Sequence, residues 1–89
     1  MAISHGMNVA EVEALGNKLK GIANEINGMV KLLNGKVQNT SWVGPDATKF
    51  KNDWWPQHRQ HLLKMVSDLD GFGQSALNNA SDQKRVSGQ

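Results

Sequence analysis

The chain has 89 residues, no cysteine and a formal net charge of +2. This length allows a single domain, and the absence of cysteine excludes disulfides, thiolate metal sites and thiol nucleophiles. Such a small charge, with Lys and Arg scattered along the chain, argues against nucleic acid as a partner. The longest apolar run is too short to span a bilayer. Residues 1–7 have neither a basic nor an apolar segment, so any export is expected to bypass the ordinary signal peptide.

A first helix is predicted over about residues 8–39, after a disordered lead. Asn8 is placed to cap it, with Glu11 positioned to close a capping box, and Met7 and Val12 have the spacing of a hydrophobic staple. Apolar residues then recur at steps of three and four, which is the spacing of one helix face. This seam consists of Val12, Leu15, Leu19, Ile22, Ile26, Met29 and Leu33.

Small residues form two further stripes on the first helix. One stripe adjoins the seam and makes the apolar face broad enough for a multi-helix bundle; it contains Gly16, Ala23, Val30 and Val37. The other stripe, Gly21, Gly28 and Gly35, lies away from the seam. Each of these glycines costs a helix about 1 kcal/mol relative to Ala. They are either tolerated surface residues or a groove where another helix approaches closely.

The chain is predicted to reverse at about residues 40–44. Gly44 tolerates backbone angles that residues with a Cβ resist, and Pro45 suits the first turn of a helix. Asp46 adds a negative charge at the positive end of the helix dipole. Trp42 places a large apolar ring at the bend, where it can pin the hairpin. The alternative is an ordinary corner between two helices in which the Trp has no special role.

A second helix is predicted over about residues 45–79, followed by a flexible tail over 80–89. Pro56 is expected to bend this helix without breaking it, because the apolar pattern resumes on the same face. The inner stripe contains Ala47, Phe50, Trp54, His58, His61, Met65, Leu69, Phe72 and Ala76. A second stripe, about a quarter turn away, contains Trp55, Leu62, Val66 and Ala80. A lone hairpin can bury one stripe, so the other is predicted to be an interface.

These patterns predict an all-α fold, an antiparallel two-helix hairpin that forms one domain over residues 1–89. A hairpin of this size buries little core and is marginally stable alone, which already favours a partner. The residues predicted to form the partner interface or the core are Leu19, Ile22, Ile26, Met29, Leu33, Phe50, Trp54, Trp55, Leu62, Val66 and Leu69.

His58 and His61 are the best candidates for a chemical site. Their spacing puts them on one helix face, but a zinc site needs three or four ligands, so we expect no metal. We expect instead two buried histidines whose protonation below about pH 6 loosens the packing. No catalytic residue, cofactor or enzymatic activity is predicted, since the chain has no Ser-His-Asp arrangement, phosphate-binding glycine loop or paired carboxylates.

The turn and the start of the second helix combine Trp42-Val43-Gly44 with Asp46-Ala47, Phe50 and Trp54. These residues look like the W-x-G-x-D-A-x-x-F-x-x-x-W run that is common in the actinobacterial members of one family. The chain therefore resembles the Trp-X-Gly (WXG) family of small helical hairpins, the early-secreted-antigen-like proteins. The similarity in size and helix arrangement covers nearly the whole chain.

The resemblance implies a non-enzymatic substrate or partner subunit of a type VII (ESX-like) secretion system. Such proteins are made in the cytoplasm without a signal peptide. They are exported folded, as antiparallel homodimers or heterodimers that form a four-helix bundle, and the system's ATPase is the implied further partner. Trp42 and Gly44 would then form half of a secretion signal at the end of the bundle.

One departure from the family concerns the other half of that signal, a Tyr-x-x-x-Asp/Glu motif beyond the second helix. This chain has no Tyr, and the residue four positions before Asp82 is Asn78. In the family's heterodimers one chain can lack the motif while its partner supplies it. This favours a heterodimer with another WXG protein here and leaves a homodimer open.

Two other functions fit the same sequence. The first is a helical adaptor that is not exported, which an export assay in a secretion-deficient strain would distinguish. The second is an amphipathic, membrane-active protein, because broad apolar helix faces can lie on a bilayer. The faces lack flanking bands of Lys and Arg, which lowers this alternative, and liposome leakage would test it.

Overall fold

The chain forms an antiparallel helical hairpin, described over residues 6–87 in a computed structural model. Helix α1 spans Val9–Asn39, α2 spans Pro45–Lys49 and α3 spans Trp55–Ser87. A π-helical turn, Phe50–Trp54, joins α2 to α3, so residues 45–87 form one continuous second helix. The hairpin is a rod of 66 × 16 × 15 Å. Within the described residues, neither arm is long and apolar enough to cross a membrane.

The ends of α1 are set by local hydrogen bonds. The Glu11 N–H donates to the Asn8 side chain at 3.1 Å, which confirms Asn8 as the N-cap. At the other end the Thr40 hydroxyl donates to the Lys36 carbonyl. The Lys51 ammonium donates to the Thr40 carbonyl at 2.8 Å and ties the loop to the second helix. These bonds satisfy backbone groups that a helix end leaves free.

The second helix passes through Pro56 without breaking, as the sequence predicts. The Trp55 N–H donates to the Phe50 carbonyl five residues earlier, which is the bonding pattern of a π-helix. In a regular α-helix the Pro56 ring would clash with the carbonyl four residues before it, and the ring also has no N–H to donate. The wider turn just ahead of the proline accommodates both effects.

The core of the hairpin is formed mostly by small residues, with Trp55 as the one large side chain among the described residues. Gly16, Ala23 and Val30 are the buried residues of α1, whereas Leu15, Met29 and Leu33 of the seam are 54%, 63% and 47% exposed. On the second helix the buried residues include Trp55 and Ala80 of the second stripe. The most exposed residues of the seam lie at the edge of the helix–helix contact, because the buried stripe of α1 consists of small residues that let the helices approach closely.

That close contact centres on two glycines. A Cβ at Gly16 would lie 2.9 Å from the Gly73 carbonyl oxygen, and a Cβ at Gly73 would lie 2.7 Å from the Gly16 carbonyl oxygen. The two backbones therefore touch, and only glycine leaves room for them. Lone glycines inside helices lower helix propensity, but these two set the distance between the arms.

The C-terminal end of the second helix differs from the prediction. The sequence predicts a flexible tail from residue 80, but α3 continues to Ser87. Ala80 has no exposed surface, and the Lys84 ammonium pairs with the Glu13 carboxylate of α1 at 2.9 Å. Packing and this ion pair hold a polar segment in the helix although its composition is typical of a tail. Residues 88–89, and 1–5 of the predicted lead, lie outside the described residues.

Polar contacts between the arms line one side of the hairpin. The Lys20 ammonium lies 3.1 Å from the Asp70 carboxylate and donates to the Gln74 side chain at 3.0 Å. Lys84 and Glu13 continue this row. Near the turn, the Trp55 indole N–H donates to the Asn34 side chain at 2.9 Å. We call this side the polar face.

Candidate functional site

At the tip of the hairpin, the Trp-x-Gly turn includes a backbone conformation that favours glycine. Gly44 has φ 115° and ψ 174°, a region that is nearly closed to residues with a Cβ. Its carbonyl accepts the Thr48 N–H at 3.0 Å and the Thr48 hydroxyl at 3.1 Å. Pro45 follows at the first position of α2. Gly44 and Pro45 therefore play the backbone roles predicted from the sequence.

Trp42 begins a continuous row of aromatic rings along the second helix. Its ring centroid lies 5.5 Å from that of Phe50, which stacks on Trp54 at 5.1 Å. The row continues from Trp54 to His58 at 4.2 Å, and from His58 to His61 at 5.9 Å. Such centroid distances are typical of interacting aromatic pairs. Trp42 is 43% exposed and Trp54 is 50% exposed, so the aromatic row lies on the surface of the hairpin.

Most of the exposed apolar residues of the two arms lie on one side of the hairpin; Leu32 and Leu63 are exceptions. Each residue of a helix is rotated by about 100° from the one before. Met29 directly precedes the buried Val30, and Phe72 directly precedes the buried Gly73. In antiparallel helices the same rotation points both stripes to the same side, opposite Gln74 and Lys20. We call this side the apolar face; it comprises Leu15, Leu19, Ile22, Ile26, Met29, Leu33, Phe50, Trp54, Met65, Leu69 and Phe72.

The residues predicted as core or partner interface divide into three groups. Trp55 is buried within the hairpin. Met29, Leu33 and Trp54 are exposed on the apolar face. The remaining residues are half-buried along the contact between the arms or at its edge; they are Leu19, Ile22, Ile26, Phe50, Leu62, Val66 and Leu69. The stripe that remains open is thus the inner stripe of the sequence analysis, and the second stripe packs against α1.

His58 and His61 do not form the buried pair that the sequence predicts. Both are exposed, because the inner stripe faces outward. Their contacts are aromatic, with Trp54 and with each other. Among residues 6–87, no group of three His, Cys, Asp or Glu side chains could hold a metal ion. The structure therefore gives no basis for the expectation that protonation of these two residues loosens the packing of the hairpin.

The stripe of Gly21, Gly28 and Gly35 does not form the helix-packing groove that the sequence allows. A Cβ at Gly21, Gly28 or Gly35 would meet nothing within 4 Å. The second helix approaches Gly16 instead, one of the small residues that adjoin the seam. The role of Gly73 is not apparent from its own spacing, and pairing it with Gly16 requires the register of the hairpin.

Comparison with known proteins finds no matching family model, no matching curated protein and no matching solved structure. The likeness to the WXG family therefore rests on the residues at and behind the turn. What the geometry adds is a broad apolar face with an aromatic row that ends at Trp42.

Proposed function

We propose that this protein is a non-enzymatic substrate or partner subunit of a type VII (ESX-like) secretion system, exported as a folded helical dimer. The observation that carries the proposal is the apolar face, which runs along both arms and ends at the Trp-x-Gly turn. A surface of this kind favours association with another apolar surface. Pairing two such faces gives a four-helix bundle with coiled-coil-like packing.

The exposure of the large side chains supports this proposal. Met29, Met65 and Phe72 are 63%, 59% and 61% exposed. Aromatic and Met side chains are enriched where proteins bind one another. The hairpin itself uses mostly small residues for its own contact, so most of its bulky apolar groups other than Trp55 remain for a partner.

The turn supports the same assignment. Trp42, Asp46, Lys49, Phe50 and Trp54 line a shallow groove at the hairpin tip. In the proposed dimer this groove lies at one end of the bundle, beside the end of the partner's second helix. Because this chain has no Tyr, a WXG partner that carries the tyrosine motif is the favoured second chain. The secretion ATPase would then recognise the two halves together.

An export assay with substitutions at the turn tests the proposal. Trp42→Arg should abolish export to the culture medium, while circular dichroism shows helix content close to wild type, because Trp42 contributes only a partly exposed ring. Val43→Arg is the matched control, since Val43 is 90% exposed and the same charge enters the neighbouring position. The host needs an intact type VII system, and a strain without it should export neither variant.

Normal export of Trp42→Arg would rule out the turn as part of a secretion signal. Equal release from the deficient strain would favour the alternative of a helical adaptor outside this pathway. Loss of export with Val43→Arg as well would mean that any added charge at the turn interferes.

A further inference from the structure

A cleft between the two arms opens on the polar face. It is lined by Asn27, Val30, Lys31, Asn34, Arg59 and Leu63. Two of these six side chains are cationic, two are amides and none is a carboxylate. The cleft therefore offers hydrogen-bond donors and positive potential without an internal counter-ion.

Arg59 is the more buried of the two cations that line this cleft. Its side chain is half-buried, and its Nε is buried with no hydrogen-bond partner among the described residues. An unpaired buried donor is uncommon in proteins. Because this atom has almost no accessible surface, a ligand in the cleft would contact the terminal nitrogens of the guanidinium instead of Nε.

The neighbouring side chains favour a negatively charged ligand. Lys31 is in no ion pair in the described part of the chain, a state it shares with Lys18, Lys36 and Lys49. In the cleft its charge adds to that of Arg59. The Asn34 amide oxygen accepts the Trp55 indole N–H at 2.9 Å. This bond fixes the amide orientation and leaves its NH₂ group as the donor available at the cleft.

We propose that this cleft is an oxyanion site that binds a phosphate or carboxylate group through Arg59, Lys31 and Asn34. A guanidinium presents its two terminal nitrogens side by side, and these match both groups in bidentate fashion. The cleft lies on the side opposite the apolar face, so it stays open when that face is paired. Binding requires neither dimerisation nor export, and its test is independent of the proposed function.

A solution NMR titration of the ¹⁵N-labelled full chain tests this site. Inorganic phosphate is added against sodium chloride of equal ionic strength. The Arg59 Nε–H and Trp55 indole N–H signals should move along a saturable curve with phosphate and stay nearly still with chloride. A parallel titration with glutarate shows whether carboxylates share the site. Small shifts of all Lys and Arg signals without saturation would overturn the proposal.

Matched variants locate the binding. Arg59→Gln and Lys31→Gln should each weaken phosphate binding by at least about tenfold, the loss expected for one charge-assisted hydrogen bond. Lys18→Gln is the control, because Lys18 is an exposed α1 lysine outside the cleft. If Arg59→Gln fails to fold, Lys31→Gln still decides, since Lys31 is exposed. Wild-type affinity in folded Lys31→Gln protein would mean that the cleft is not the site.

Discussion

Gly16 and Gly73 bring the two backbones of the hairpin into contact. An added Cβ at Gly73 would lie 2.6 Å from the Lys20 Cγ and 2.7 Å from the Gly16 carbonyl oxygen. The lysine side chain can move, but the backbone carbonyl cannot move without shifting α1. The distance between the arms is therefore set by these two residues.

We predict that Gly73→Ala destabilises the hairpin by about 1–3 kcal/mol, the usual cost of overpacking a close contact. Gly71→Ala, two residues earlier, should instead stabilise by up to about 1 kcal/mol through helix propensity. Gly71 has nothing within 4 Å of an added Cβ, so it is a matched control. Urea unfolding followed by circular dichroism measures both changes. Equal stabilities for the two variants would contradict the close contact.

The residues of the turn were predictable because their roles are local. Gly44 adopts a positive φ and Asn8 caps a helix for reasons contained within a few neighbouring residues. Gly73 is different, because its role exists only opposite Gly16, which is distant in sequence. The Arg59 cleft is likewise assembled from both arms, so the residue pattern of neither helix alone predicts it.

At the level of elements, the helices were predicted more accurately than their faces. α1 ends at Asn39 and the second helix begins at Pro45, in agreement with the sequence. Both arms carry two apolar stripes, and periodicity alone does not say which one meets the other arm. The sequence left open whether the larger residues form the core or a partner interface; the structure buries the smaller stripe of α1, because glycine and alanine allow closer packing.

We predict that Pro56→Ala stabilises the hairpin, by up to about 3 kcal/mol, because the new N–H completes a helical bond and the ring clash disappears. The π-helical turn should then become regular α-helix. Pro45→Ala is the control, since a proline in the first helical turn costs little. Urea unfolding gives the stabilities, and backbone NMR shifts of residues 50–55 report the conversion. A destabilised Pro56→Ala variant would mean that the turn has another cause.

At the scale of the whole molecule, the polar face and the apolar face lie on opposite sides of the hairpin. One side carries the polar row from Glu13–Lys84 to Asn34–Trp55, and the other side carries the apolar face. The single-domain hairpin was predictable from length and helix pattern. The helical C-terminal segment was not, because its polar composition hides the burial of Ala80 against α1.

Association of the chain in solution tests whether the apolar face is an interface. Purified alone and without a natural partner, the chain should associate into species heavier than its 9.8 kDa mass, because large exposed apolar surfaces self-associate in water. Phe72→Glu should shift this equilibrium strongly toward the monomer, since a carboxylate buried in an apolar interface is costly.

Leu32→Glu supplies the matched comparison for that experiment. Leu32 is 67% exposed and Phe72 is 61% exposed, but Leu32 lies on the outer side of α1, about half a turn from the buried stripe. The same charge there should leave the mass distribution unchanged. Light scattering and sedimentation at several concentrations measure both variants, and circular dichroism checks that each stays helical. A helical wild-type chain that remains monomeric, or equal dissociation by both substitutions, would show that the apolar face does not drive association, and the proposed dimer would lose its structural support.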